Sequence, residues 1–228
     1  LGNGEPKTDS LTPVDVTGLS SGVAAIAAGE NHACAASGDG VLRCWGKNNR
    51  GQVGDDSTTN RSAPVVVTTL AAGAVAAACG QEHSCALLDT GGVQCWGRND
   101  KGQIGSSSAG GEIHTPINVT GLASGVASIT ADQKHTCAIT TAGGAKCWGL
   151  NGNGQIGDGT KVDRSAPMNV STLGSGVQQI DAGWAHTCAV LERGVVMCWG
   201  QNDAGEIGTG TTGGEYLYPV NVTCIAVY

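Results

Sequence analysis

Histidine two residues ahead of a cysteine, with a second cysteine ten residues beyond the first, occurs four times in this 228-residue chain: His32/Cys34/Cys44, His83/Cys85/Cys95, His135/Cys137/Cys147 and His186/Cys188/Cys198. Imidazole is the common biological base and ligand, and thiolate is a nucleophile and ligand, so these residue types could build a catalytic or a zinc centre. The pattern argues against both. A catalytic site needs one asymmetric constellation, whereas each His recurs once per repeat with different neighbours (GENH, GQEH, ADQKH, GWAH), as expected of a structural residue that holds a turn by hydrogen bonds. Zinc sites favour Cys pairs two to four residues apart, and no Cys-x-x-Cys occurs. A Gly-containing turn, SGDG, DTGG, TAGG or ERG, lies inside each Cys pair. In a β-hairpin with an odd-length loop the two Cys face one another on adjacent strands, with Cα atoms about 4.5 to 5.5 Å apart and within disulfide range. Disulfides are the expected state of the four pairs, with metal ligation and free buried thiols as the alternatives. Four such staples imply an oxidising compartment, and hence a secreted or cell-surface protein. Cys79 and Cys224 stand outside the pattern and could bridge each other, other chains, or partners absent from this sequence. No Ser-His-Asp order, Gly-Lys-Ser/Thr phosphate loop or paired-carboxylate motif stands out, so the chain reads as non-enzymatic, with no cofactor and no metal.

The elements that carry these residues repeat with them. The Trp that closes each signature falls at Trp45, Trp96, Trp148 and Trp199, a spacing of 51, 52 and 51 residues. A period near 50 residues with several short β-type runs marks a propeller blade, a unit that buries its faces only by stacking on neighbours. Each repeat reads as four strands: an inner run of small apolar residues (VAAIAAG from Val23), the two strands of the Cys hairpin, and an outer run headed by Pro64, Pro116, Pro167 or Pro219. Pro at a strand start suits an outer edge, where the missing N–H costs no ladder bond. Between hairpin and outer run lie GQVG from Gly51, GQIG from Gly102, GQIG from Gly154 and GEIG from Gly205, Gly-rich for turn geometry. The four Trp are expected to fill the wedge between blades. The fold expected is an all-β β-propeller: one propeller region over 1–228, with repeats at 20–70, 71–122, 123–173 and 174–228, the last including a C-terminal extension. A partial repeat at 1–19 precedes them. In it LGNG at 1–4 aligns with the tail of the GQxG motif, and Pro13 to Val16 reads as an orphan outer strand.

The order of AAG, His, hairpin, WGxN, GQxG and Pro-headed run resembles the regulator of chromosome condensation repeat family, over nearly the whole chain. The resemblance implies a seven-bladed β-propeller, which at this period needs about 130 more residues. The chain opens on LGNGEPKTDS without Met or a signal-like start, and reads as a mature or partial product. A part of a longer chain is the favoured expectation, and subunits that complete one another in an open assembly are the rival. Two departures set it apart from intracellular members: the regular hairpin Cys pairs, and the lack of a basic chromatin-binding tail. Nucleotide exchange on a nuclear GTPase, the family's best-known activity, is therefore not carried over.

Composition narrows the partners. Charged residues are 14% of the chain, the net charge is −7, and no Lys/Arg run occurs, which excludes phosphate backbones and anionic lipid as natural partners. No stretch approaches the roughly 18 apolar residues of a spanning helix, so direct membrane insertion is not expected. Trp184 alone breaks the Trp pattern, and the three tyrosines, Tyr216, Tyr218 and Tyr228, crowd the last thirteen residues. Loop aromatics are enriched in recognition hot spots, which makes these four the candidate contact residues, with capping of the last blade as the plainer reading. Sequons stand at Asn60, Asn118, Asn169 and Asn221. The last three share one site on the Pro-headed run, where alternation puts Asn118 outward between Ile117 and Val119. The functional expectation is an extracellular scaffold that binds a protein partner or assembles with itself. The alternatives are an inhibitor of a secreted enzyme, as in the family's β-lactamase-inhibiting propellers, and a lectin with glycan partners.

Overall fold

Runs of small and β-branched residues, each ended by a glycine turn, favour short strands over helices. The computed structural model describes residues 1–5 and 9–223, and within them the chain forms four four-stranded antiparallel sheets. The first blade consists of β1 (Val23–Ala28), β2 (His32–Ser37), β3 (Leu42–Gly46) and β4 (Arg61–Val66), hydrogen-bonded in that order. The second holds β5 (Ala74–Cys79), β6 (His83–Leu88), β7 (Val93–Arg98) and β8 (Glu112–Asn118). The third holds β9 (Val126–Asp132), β10 (His135–Thr140), β11 (Ala145–Gly149) and β12 (Arg164–Asn169). The fourth holds β13 (Val177–Ala182), β14 (His186–Leu191), β15 (Val196–Gln201) and β16 (Glu215–Asn221). The inner strands follow one another in space, β1 beside β5, β5 beside β9 and β9 beside β13, so the blades fan out from a common axis. This is the propeller arrangement that the repeat implied.

The apolar cores lie between blades. Leu42 and Val53 of the first blade pack with Ala74, Leu88 and Trp96 of the second. Val93 and Ile104 pack likewise with Val126 and Trp148, and Ala145 and Ile156 with Val177 and Trp199. One thin sheet of Ala, Val and Gly offers too little area to stabilise itself, and stacking supplies the rest.

Within each blade the second and third strands pair so that Cys faces Cys: Cys34 with Cys44, Cys85 with Cys95, Cys137 with Cys147 and Cys188 with Cys198. All four pairs are bonded, with Cα atoms 4.0 to 4.1 Å apart. The Gly that follows each Trp is set by close approach. Gly97 has φ +102°, and a Cβ there would lie 2.6 Å from the Glu82 carbonyl oxygen.

Two expectations are corrected. The prolines do not head the outer strands. In the first blade Cys44 pairs with Val65 but Gly46 with Arg61, so Trp45 faces three residues, and Pro64 sits inside this bulge in mid-strand. Pro116, Pro167 and Pro219 occupy the same bulge in β8, β12 and β16. A bulge frees backbone N–H groups from the ladder, which is where a residue without one fits. Pro13 to Val16 likewise form no strand, and no hairpin among the described residues pairs with them. The loop geometry of the segment nevertheless matches the repeats: Thr17 N donates to Gly2 O at 2.9 Å, as Thr68 N does to Gly54 O at 3.1 Å.

Each disulfide closes a loop of sequence separation 10. Replacing both partners in one blade, Cys137→Ala with Cys147→Ala, is expected to lower the unfolding free energy by about 2 to 3 kcal/mol through the freed unfolded chain. Urea titration followed by Trp fluorescence reads this directly. An unchanged midpoint would mean that the hairpin register needs no covalent restraint.

Candidate functional site

The sequence leads one to expect histidines that hold turns within a blade, whereas in the structure the side chains of three of them reach across to the next blade. His32 Nε2 meets Ser84 Oγ at 2.8 Å, His83 Nε2 meets Thr136 Oγ1 at 2.9 Å, and His135 Nε2 meets Thr187 Oγ1 at 3.0 Å. Each hydroxyl in turn donates to a main-chain carbonyl of the GQxG loop belonging to the histidine's own blade: Ser84 to Gln52 O at 2.7 Å, Thr136 to Gln103 O at 3.1 Å, Thr187 to Gln155 O at 2.9 Å. The same three carbonyls accept the indole N–H of Trp96, Trp148 and Trp199 at 2.9, 2.9 and 2.8 Å. Those three indoles are fully buried. Each is seated flat against a glycine, since a Cβ at Gly54 would lie 2.6 Å from Trp96 Nε1. Trp45 is only half-buried, and its glycine is Gly2, where a Cβ would lie 2.6 Å from Nε1.

This chain of bonds assigns the tautomer. A hydroxyl has one hydrogen, which goes to the Gln carbonyl, so the imidazole Nε2–H must be the donor and Nδ1 carries the lone pair. The Nδ1 atoms of His32, His83 and His135 are buried without a partner. They lie over the backbone of the preceding turn, where a Cβ at Gly80 would be 2.5 Å from His83 Nδ1. Protonation there would create a buried charge with nothing to accept its proton. Burial accordingly pushes His32 down to about 4, and His83 and His135 down to about 3, the neighbouring imidazoles adding to the effect on the last two. Such groups are sealed against proton transfer with solvent. His186 is half-buried, and no described blade follows it. Among the described residues no group of three or more His, Cys, Asp or Glu could hold a metal ion.

Residues that the sequence reading passed over complete the interface. The Asn of each WGxN, namely Asn48, Asn99, Asn151 and Asn202, is buried and ties up the loop that follows. Its Oδ1 accepts the N–H of Val53, Ile104, Ile156 or Ile207 at 2.9 to 3.1 Å, which drives that side chain into the interblade core. The signal was present as a constant spacing of five residues between the Asn and the apolar residue of GQxG. The hydroxyl one position after the His was visible too, in Ser84, Thr136 and Thr187, with Ala33 the exception in the first blade.

The candidate contact residues do not come together. Trp184 lies in the turn between β13 and β14 at the inner edge of the fourth blade and is 61% exposed. Tyr216 and Tyr218 belong to β16, three strands away at the outer edge. Tyr216 OH bonds Thr209 Oγ1 at 3.1 Å, and Tyr218 packs its ring end on Gly159 of the third blade. Tyr228 and Cys224 fall outside the described residues. Cys79 is buried, with burial pushing its thiol up to about 12, and it has no disulfide partner among the described residues. Of the sequons, Asn118, Asn169 and Asn221 are exposed on β8, β12 and β16, with Val119 and Val170 turned inward. Asn60 is exposed just before β4, and its Oδ1 accepts Asn48 N at 2.8 Å.

Comparison with known proteins agrees with this geometry. A family model described as the RCC1-like domain matches residues 1–226. The chain is 32% identical over 215 residues to the Ultraviolet-B receptor UVR8 of Arabidopsis thaliana, covering 92% of this chain and 48% of that protein. It is 33% identical over 192 residues to the E3 ubiquitin-protein ligase HERC2 of Homo sapiens, covering 82% of this chain and 4% of that protein. The chain thus spans about half the length, or less, of these curated relatives. Among solved structures, yeast RCC1 (Prp20) with Kap60 bound superposes with a TM-score of 0.78 at 20% identity, over 90% of this chain and 49% of that one. Human WBSCR16 superposes with 0.77 at 23% identity, over 87% and 51%. At these identities the superpositions establish the fold.

The buried histidines make stability depend on pH. Their folded values lie below the ordinary 6.5, so the unfolded chain takes up protons first; their contribution is whole above about pH 6.5 and is lost as pH falls toward 4 and below. His83→Gln is expected to flatten the slope of unfolding free energy against pH by one proton, about 1.4 kcal/mol per unit, in denaturant titrations between pH 4 and 6. At neutral pH, Thr136→Val should cost about 1 to 3 kcal/mol, because His83 Nε2 loses its acceptor and Gln103 O one donor, while Thr136→Ser should restore most of it.

Proposed function

The chain belongs to the RCC1-like domain family, and on that premise we propose that it is a protein-binding propeller segment without catalytic activity, working outside the cell or on its surface. The observation that carries the reading is the disulfide in every blade, placed at the same register each time. Thiols in such close pairs remain oxidised only in an oxidising compartment. The staple leaves each blade rigid and the loops at its ends free to vary, which is the division of labour of a binding scaffold.

The case against catalysis rests on the recurrent base candidates, since His32, His83 and His135 are committed to the interblade bonds and depressed well below neutrality. The case for a protein partner rests on the family, in which yeast RCC1 is seen with Kap60 bound. The exposed Asn118, Asn169 and Asn221 lie along the outer strands, so carbohydrate there would clothe the rim and leave the end faces open.

Peptide mapping of unreduced protein from its native source tests the compartment: linked peptides for the four pairs, with glycan mass on the three rim sequons, is the expected result. Free thiols at those eight cysteines would overturn the extracellular reading. Cross-linking on intact material tests the binding role. Lys47, Lys101 and Lys161, all in loops at one end of the blades, should be joined to a second protein. Cross-links confined to this chain would overturn it.

A further inference from the structure

Antiparallel order brings the turn between first and second strands to the same end in every blade, and these turns place Glu30, Gln81, Gln133 and Trp184 at equivalent positions. Together they surround a cavity of about 410 Å³ whose lining also includes Asp132 and Asp181. All four blades contribute to it, as a single blade could not. Small residues, Ala28, Gly29, Cys79, Ala131 and Ala182, line the remainder.

Trp184 is 61% exposed yet held. With the Gln133 side-chain amide assigned the orientation that satisfies both of its neighbours, its oxygen accepts the indole N–H at 2.9 Å and its nitrogen donates to the Trp184 carbonyl oxygen at 3.0 Å, a clamp from the neighbouring blade. An aromatic that buries little of itself and is ordered by a partner across an interface presents its ring to the cavity at reduced entropic cost for whatever binds there. The carboxylates are ordered as well. Asp181 Oδ1 accepts from Thr130 Oγ1 at 2.9 Å and from Ala182 N at 3.1 Å, and Asp132 Oδ1 accepts from Gln133 N at 2.6 Å. The second oxygen of each has no hydrogen-bond partner among the described residues. Glu30 adds a third carboxylate, exposed, and no Lys, Arg or His lines the cavity.

An indole face beside uncompensated carboxylates favours a cation, and the acids do not converge as metal ligands do. A planar guanidinium satisfies both features at once, stacking on the ring while its N–H groups reach a carboxylate. We propose that this axial cavity is a recognition site for an arginine side chain presented by a protein partner, with Trp184 as the stacking platform and Asp132 and Asp181 as the anionic acceptors. The proposal deepens the protein-binding reading above and depends on it.

The test is a titration of the isotope-labelled chain with acetyl-Gly-Arg-Gly-amide, following the Trp184 indole N–H resonance, against acetyl-Gly-Gln-Gly-amide as control. The arginine peptide should shift that resonance saturably and bind at least tenfold more tightly than the glutamine peptide. Asp132→Asn with Asp181→Asn should weaken it at least tenfold. Trp184→Phe, followed on the Gln133 side-chain resonances, should keep part of the affinity that Trp184→Ala loses. Equal shifts by both peptides, or unchanged affinity in the double Asn variant, would overturn the proposal. If it falls while Lys47, Lys101 and Lys161 still cross-link to a second protein, the arginine site alone is removed and the binding role stands.

Discussion

Everything in this propeller depends on one main-chain carbonyl per interface, that of Gln52, Gln103 or Gln155, which accepts both a tryptophan N–H and a Ser or Thr hydroxyl from the following blade. Burying a large indole between two sheets supplies apolar area, and it also buries a polar N–H that must find an acceptor. The loop carbonyl meets that need, the hydroxyl takes its second lone pair, and the histidine behind donates to the hydroxyl. Each pair of blades is thereby locked in one orientation by bonds that are made only when the apolar wedge is filled. Packing and polar satisfaction are one event here, which is why neither blade face would be stable without the other.

The disulfides act at a different level. Covalently they join only strands already paired within a blade, although the half-cystines of the first three blades also pack in the interblade cores. Their effect is on the isolated hairpin, whose small Ala and Gly side chains pack weakly. Stapled hairpins enter the stack with register settled, so the interblade bonds are not spent on selecting it. The GQxG loops then have their own internal anchor in the buried Asn of WGxN, whose Oδ1 holds the apolar residue of the motif while its Nδ2 reaches carbonyls further along the loop, as Asn48 does at Ser57 and Thr59. Rigid blades and variable loop tips follow from this separation.

Departures from the repeat average gather at the axial end. Trp184 replaces a polar residue, Asp132 stands where Gly29, Gly80 and Gly183 occupy the other blades, and Gln133 turns from its own turn to clamp the indole across the interface. In the interblade wedge such departures are few, because a change there would leave a buried partner unsatisfied. At the mouth of the axis nothing comparable restrains them, and chemistry particular to this chain can be built without cost to the stack.

The sequence by itself determined the blade: the 51-to-52-residue period, the four strands, the hairpin loops whose length sets Cys against Cys, and the outward face of the rim asparagines. These were legible because strand alternation and turn length act over about ten residues. Tertiary structure decided the rest. His32 and Ser84 are 52 residues apart, and neither spacing nor residue type names one as the other's partner until the blades stack. For the same reason Trp184 reads as an isolated aromatic, Tyr216 and Tyr218 read with it as candidate contact residues, and the prolines read as strand starts; the clamp, the distance from inner to outer strand and the bulge opposite Trp45 all arise from pairing and packing between segments. Local rules specify what a blade is, and only the contact of one blade with the next specifies what its polar groups are for.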